Sequence, residues 1–259
     1  MSASQKIGIA FRSYGSAHRF IKKHKLWHYV YIPGILNIVL FYFSFNWFIN
    51  SVAGWVTGIF DLDCEGGLFV WFCYMITAIA GYLEFFVKAF LYVAFIGLYL
   101  NIYKSILLIL YSPILAFLID TVEKKDKGVN EPFRMEQLLK DTVRGIVIAL
   151  RSLFMEGVAV FALFVMAFVP IINIVQPILL WIVSAYFLGV SMLDYTLEKK
   201  GMNAKGSINY MKKHKALTTG IGSVFQLVFL IPFLGWMIAP TYSAVAAYFA
   251  VEELEKIGD

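Results

Sequence analysis

Between Trp27 and Phe60 the chain carries no Asp, Glu, Lys or Arg. A bilayer core about 30 Å thick is crossed by about 20 helical residues. This stretch is therefore long enough to span lipid, and it predicts a first full span over 27–60. A second apolar run, Leu68 to Ile119, is interrupted by Glu84, Lys88 and Lys104, and Ser112-Pro113 predicts a bend or an end. It reads as one long helix, 68–119, with part of its length outside the lipid. With 60% hydrophobic and 15% charged residues and a mean hydropathy of +0.74, the chain has more apolar surface than one water-soluble core can hide. The fold class that follows is an all-α integral membrane protein, a single membrane domain over 1–259.

Charge sets the expected orientation. Six basic residues precede the first span, whereas the segment 61–67 after it holds three acids and no Lys or Arg. The positive-inside rule places the N-terminus in the cytoplasm and that loop outside. Of the 22 Lys and Arg, all but Lys88 and Lys104 fall in segments assigned to the inside or its interface, including 120–128 and 198–215. Both termini are thus expected in the cytoplasm, with the protein in the cell's inner membrane. The polar, basic start and the absence of a small-residue cleavage site predict no cleaved signal. The net charge of +5 is spread along the membrane segments, which points to anionic lipids as partners and away from nucleic acid.

Residues 4–24 place Ile7, Ala10, Phe11, Tyr14, Ala17, His18 and Ile21 at helical spacing, predicting an amphipathic helix in the interface. A second such helix is expected from Arg134 to Ser152, held to the headgroups by Lys140, Arg144 and Arg151. Beyond it two segments share a pattern: Phe168-Val-Pro170-Ile-Ile-Asn173-Ile-Val-Gln-Pro177 and Leu230-Ile-Pro232-Phe-Leu-Gly235-Trp-Met-Ile-Ala-Pro240. In each, a short apolar helix runs into a proline, an uncharged turn follows, and a second proline starts another helix. Arms of about 13 to 16 residues reach only about 20 to 24 Å. These are read as two hemi-penetrating hairpins, 157–193 and 216–251, with turns at Pro170, Asn173, Pro177 and at Pro232, Gly235, Pro240. Irregular backbone at membrane depth is tolerated where protein or a wet cavity satisfies it, and transporters place sites there.

The motifs Tyr31-Ile-Pro33 with Leu36-Asn37, Tyr111-Ser-Pro113 to Leu118 with Glu123, both proline segments, Asp194-Tyr195, and the basic stretch through Lys215 followed by Gly220 and Gly222 occur in this order. Together they resemble the CysZ-type sulfate permeases and the wider etoposide-induced membrane protein superfamily over nearly the whole chain. The resemblance implies two full spans and two hemi-penetrating hairpins, a homo-oligomer, and admission of sulfate for cysteine synthesis. It leaves insertion in both orientations open, whereas the charge bias argues for one. The family's sulfate site uses a pair of arginines just before the first span. Here that stretch reads Lys25-Leu26-Trp27-His28-Tyr29, without either arginine.

The anion-binding candidates are Lys22, Lys23, Lys25, Trp27 and His28, cations and an indole N–H beside a helix start; the plainer reading is an interfacial anchor. Glu84 and Lys88, spaced i to i+4, read as an intramembrane ion pair or a surface pair; with Asn101 and Lys104 they are the pathway candidates. Lys104 equally fits a side chain snorkelling to the interface. His24 and His28 share a spacing that metals use, but no third ligand is near, so no metal is expected. Cys64 and Cys73 leave one disulfide open. No catalytic or dinucleotide signature stands in a fitting context, so neither an enzyme nor a cofactor is expected. Three functions remain: a channel or permease for a sulfate-type inorganic anion, a permease for another solute, or a non-transporting membrane scaffold that organises lipid.

Overall fold

The structure, a computed structural model, describes residues 1–60, 70–128, 135–166, 170–231 and 233–258. Its elements are all α-helices: α1 (Ala3–Lys23), α2 (His28–Phe60), α3 (Val70–Lys127), α4 (Met135–Met166), α5 (Pro170–Lys199), α6 (Ala204–Lys213), α7 (Lys215–Phe229) and α8 (Leu234–Ile257). Among the described residues, five stretches are long and apolar enough to cross a membrane: His28–Val52, Ile106–Lys127, Thr142–Leu163, Val175–Lys199 and Leu234–Ile257. The acidic loop with Cys64, the turn residue Pro232 and the side chain of Cys73 lie outside the described residues.

The chain forms two compact units, residues 38–106 and residues 1–37 with 107–259. In the first, α2 and α3 meet through aromatic rings and one polar contact. Ser44 donates to the Leu40 carbonyl at 2.7 Å, so the Tyr99 hydroxyl, 2.7 Å away, donates to Ser44 Oγ. Phe41, Phe45 and Phe48 all stack or edge against Tyr99.

The second unit is built around α5, α7 and α8. A methyl at Gly222 would fall 1.8 Å from the Ala185 carbonyl oxygen, and one at Gly189 1.9 Å from that of Thr218. Only glycine permits this backbone contact between α5 and α7. Helix α1 opens on a capping box, Ser2 with Gln5, and lies on α7 and α8. Its buried face is Ile9, Ala10, Ser13, Ala17, Phe20 and Ile21, rotated from the expected one. Ile7, Phe11 and His18 are exposed, because the small Ala10 is what fits against Gly220.

Several expected boundaries are corrected. Helix α3 passes through Pro113, where a bend or an end was expected, and continues beyond the expected Ile119 through the charged segment 120–127. There Asp120–Lys124 and Glu123–Lys127 pairs at i,i+4 support its last turns. The second amphipathic helix is the start of α4, which continues unbroken to Met166. Pro177 and Pro240 start no helix; both sit inside one, α5 beginning at Pro170 and α8 at Leu234. Asn173 is accordingly helical, not part of a turn. In the second proline segment the break is confined to the few residues after Phe229, where Phe233 takes φ 61°. Its following Gly235 donates to Ile231 at 2.8 Å and passes so near Val228 that no side chain fits.

Candidate functional site

Helix α1 ends at Lys23 and α2 begins at His28, so the anion-binding candidates gather at one corner: Lys22 and Lys23 close α1, Lys25 and Trp27 lie in the turn, and His28 opens α2. Lys25 holds φ 53°, a left-handed conformation that turns the chain sharply. Lys22, Lys23, Lys25 and His28 are exposed. His24 beside them is pushed below its ordinary pKa by desolvation, then by Lys125 and Lys23, so it adds little charge near neutrality. Trp27 stacks on Tyr31 at 6.0 Å and meets the edge of His18 at 6.4 Å. Exposed charges a few ångströms apart attract by only about 1 kcal/mol in water. This corner can gather anions from solution, and it does not strip them of water.

Three consecutive residues of α8 hold the corner. Thr241 Oγ1 donates to the Tyr29 carbonyl at 2.7 Å. The Tyr242 hydroxyl bonds His18 Nδ1 at 2.9 Å. Ser243 Oγ lies 2.6 Å from the Tyr14 hydroxyl, which donates to the Ile221 carbonyl at 2.8 Å. Burial raises the Tyr14 pKa, keeping this phenol protonated.

Beside the corner the ends of several helices are joined by ion pairs. Arg144, expected to face headgroups, turns inward. Its guanidinium donates to Asp194 at 3.1 Å, to Ser207 Oγ at 2.7 Å and to the Met202 carbonyl, and lies 3.4 Å from Glu198. Lys199 reaches Asp120 at 3.0 Å. Lys200 bridges Glu252 and Glu255 at 2.7 and 2.6 Å; although desolvation opposes it, these two carboxylates raise its pKa. The Arg144 cluster is a clasp between α4, α5 and α6. Deeper along α4 and α5, buried Ser184 donates to buried Glu156.

Sequence reasoning missed Glu156, the inward turn of Arg144 and the donors Asn37 and Thr241. The signal for the last two lay in the prolines: a proline inside a helix frees the carbonyl four residues earlier. The backbone of Glu84, Lys88, Asn101 and Lys104 lies in α3, and their side chains fall outside the described residues, as do those of Pro170 and Asn173. Pro177 is exposed; Gly235 and Pro240 are buried.

Residues 13–240 match the family described as Sulfate transporter CysZ/Etoposide-induced protein 2.4. The chain belongs to this family. Among relatives, a Sulfate transporter CysZ of Pseudomonas syringae pv. tomato is 23% identical over 56% of this chain and 58% of its own length. One of Pectobacterium atrosepticum is 23% identical over 86% of this chain and 77% of its own length. One of Pseudomonas aeruginosa is 23% identical over 92% and 93%. The first match thus spans less than two thirds of that relative. The matched residues 13–240 include the cationic corner, Arg144, Asp194 and Pro240.

Proposed function

We propose that this membrane protein is a channel or permease for a small inorganic anion of the sulfate type, with the α1–α2 corner as the place where anions collect. The match to the sulfate transporter family over 13–240 carries this reading. Lys22, Lys23, Lys25 and His28 supply positive potential at one end of the helices, and the Trp27 indole adds one N–H donor. Glu84, Lys88, Asn101 and Lys104 on α3 are proposed to line the onward path. The protein is a single membrane domain over 1–259 in the inner membrane, with both termini cytoplasmic and its basic helix ends against anionic lipid. It works as a homo-oligomer, without cofactor, metal or nucleic acid. In this reading the segments 157–193 and 216–251 are the two hemi-penetrating hairpins, the second supported by the 15 residues of α7, which reach only about 22 Å.

Without the family's arginine pair before the first span, a second reading stays in play: transport of another solute, or a scaffold with no transport. Radiolabelled sulfate uptake into proteoliposomes, beside a Lys25→Ala/His28→Ala double variant and empty liposomes, separates them. Uptake above the empty control that falls in the double variant supports the anion reading. Uptake equal to the control overturns it in favour of the second.

A further inference from the structure

Helices α2 and α8 each carry a proline at their contact, and each proline creates a problem that the other helix solves. Pro33 has no N–H, so the Tyr29 carbonyl four residues earlier has no intrahelical donor; Thr241 of α8 donates to it at 2.7 Å. Pro240 likewise frees the Trp236 carbonyl, and Asn37 of α2 donates to that one at 3.1 Å. Asn37 and Thr241 are 0% and 1% exposed. Between them the helices approach closely: a methyl at Gly34 would fall 2.4 Å from Met237. We propose that Asn37 and Thr241 are positioning residues, each replacing the donor a proline removed, and that this reciprocal pair sets the register of the first turn of α2, and with it the cationic corner, on α8.

The register matters because of where the bond from Thr241 falls. Tyr29 follows His28 directly, so a bond to its carbonyl fixes the height and rotation of the turn that presents Lys25 and His28. An ordinary helix–helix contact through apolar side chains tolerates sliding. A donor aimed at one freed carbonyl does not, because displacement strands a polar group where water is scarce. The two bonds face opposite ways, one donor on each helix, so neither helix can rotate without breaking one of them. The link from register to anion affinity rests on the anion-permease reading; the bonding pattern does not.

The test uses the full-length protein and two readouts, thermal unfolding in detergent and the half-saturating sulfate concentration for uptake into proteoliposomes. Thr241→Val and Asn37→Leu remove the donors at similar volume, and Thr241→Ser keeps a hydroxyl. Pro33→Ala and Pro240→Ala restore the missing N–H groups. Each donor loss should lower the melting temperature and raise half-saturation several-fold, while Thr241→Ser stays near wild type. The defect of Thr241→Val should be rescued by Pro33→Ala and not by Pro240→Ala, and that of Asn37→Leu by Pro240→Ala and not by Pro33→Ala. Rescue in the matched pairs alone, in both readouts, supports the proposal. Equal rescue in crossed pairs, or none, overturns it. Matched rescue of stability with half-saturation unmoved overturns the positioning role. Matched rescue of stability with no sulfate uptake by the wild type leaves the bonding standing and overturns the anion reading together with the role built on it.

Discussion

The two proline segments look alike in sequence and are held in different ways. In the pair α4–α5, both helices are long, 32 and 30 residues, and their candidate spans are mostly uncovered, 22% and 39% buried. Their polar attachments are side-chain contacts, the ion pairs centred on Arg144 near one end and the Ser184–Glu156 hydrogen bond deeper along the pair. In the pair α7–α8, the first helix has 15 residues and the second is 72% buried in its candidate span. Its attachments include, besides the ion pairs of Lys200 with Glu252 and Glu255 near the end of α8, backbone contacts of α7 and donors to freed carbonyls. A proline in an apolar run therefore says that a carbonyl must be served, and the neighbours decide whether the helix breaks or continues. Both helices run on, α5 past exposed Pro177 and α8 past buried Pro240, and the Trp236 carbonyl that Pro240 frees is taken by Asn37.

The largest expected effect breaks the first pair. Arg144→Leu removes the guanidinium that pairs with the Asp194 side chain, 2% exposed. Removing one partner of a buried ion pair costs about 3–5 kcal/mol. Thermal unfolding in detergent should show a large drop, and an unchanged melting temperature would mean the clasp contributes nothing net. Next comes the seam on which the second pair rests. Gly222→Ala forces a methyl into the Ala185 carbonyl of α5, and overpacking of this kind costs about 1–3 kcal/mol. A variant as stable as wild type would show that α5 and α7 separate freely, against the backbone contact described.

A smaller and signed effect sharpens the contrast between the prolines. Pro177→Ala restores a helical N–H to a carbonyl and should gain about 1 kcal/mol, the net worth of one hydrogen bond. Pro240→Ala should gain less, because Asn37 already donates to Trp236. Comparing the two melting temperatures checks the order, and a larger gain at Pro240 would contradict the role assigned to Asn37.

How much of this was legible in the sequence follows from range. The helical class, the long apolar α2 and the amphipathic α1 could be read from local periodicity and from the uncharged run, because the length and polarity of such a run need no knowledge of neighbours. The rotation of α1 could not: burying Ile9 and Ser13 in place of Ile7 and Phe11 depends on Ala10 meeting Gly220, more than two hundred positions away in the chain. Arg144 resembled an anchor because its partners Asp194, Glu198 and Ser207 lie on α5 and α6. The hairpin prolines were over-read as punctuation, since Pro177 and Pro240 were expected to start helices and instead lie inside them. The cationic corner was found for a local reason, its lysines being adjacent in sequence.

The smallest effect concerns that corner and its tie to α3. The folded protein lowers the His24 pKa, first through desolvation and then through Lys125 and Lys23, with Asp126 opposing. The unfolded chain, with an ordinary imidazole near 6.5, therefore binds more protons over the window just below that value. Stability contributed by neutral His24 is full above about pH 6.5 and declines as pH falls through it toward the lower folded value. Solvent screening at this exposed turn keeps the effect small. His24→Gln, which cannot titrate, should flatten the stability profile between about pH 5 and 7 while leaving the value at higher pH unchanged. Measured by thermal unfolding across that range, an identical slope in the variant would mean that another group carries the acid sensitivity. In a Lys125→Glu variant an acid should hold the imidazolium and relieve the decline, and a decline as steep as in wild type would argue that desolvation dominates the neighbouring charge.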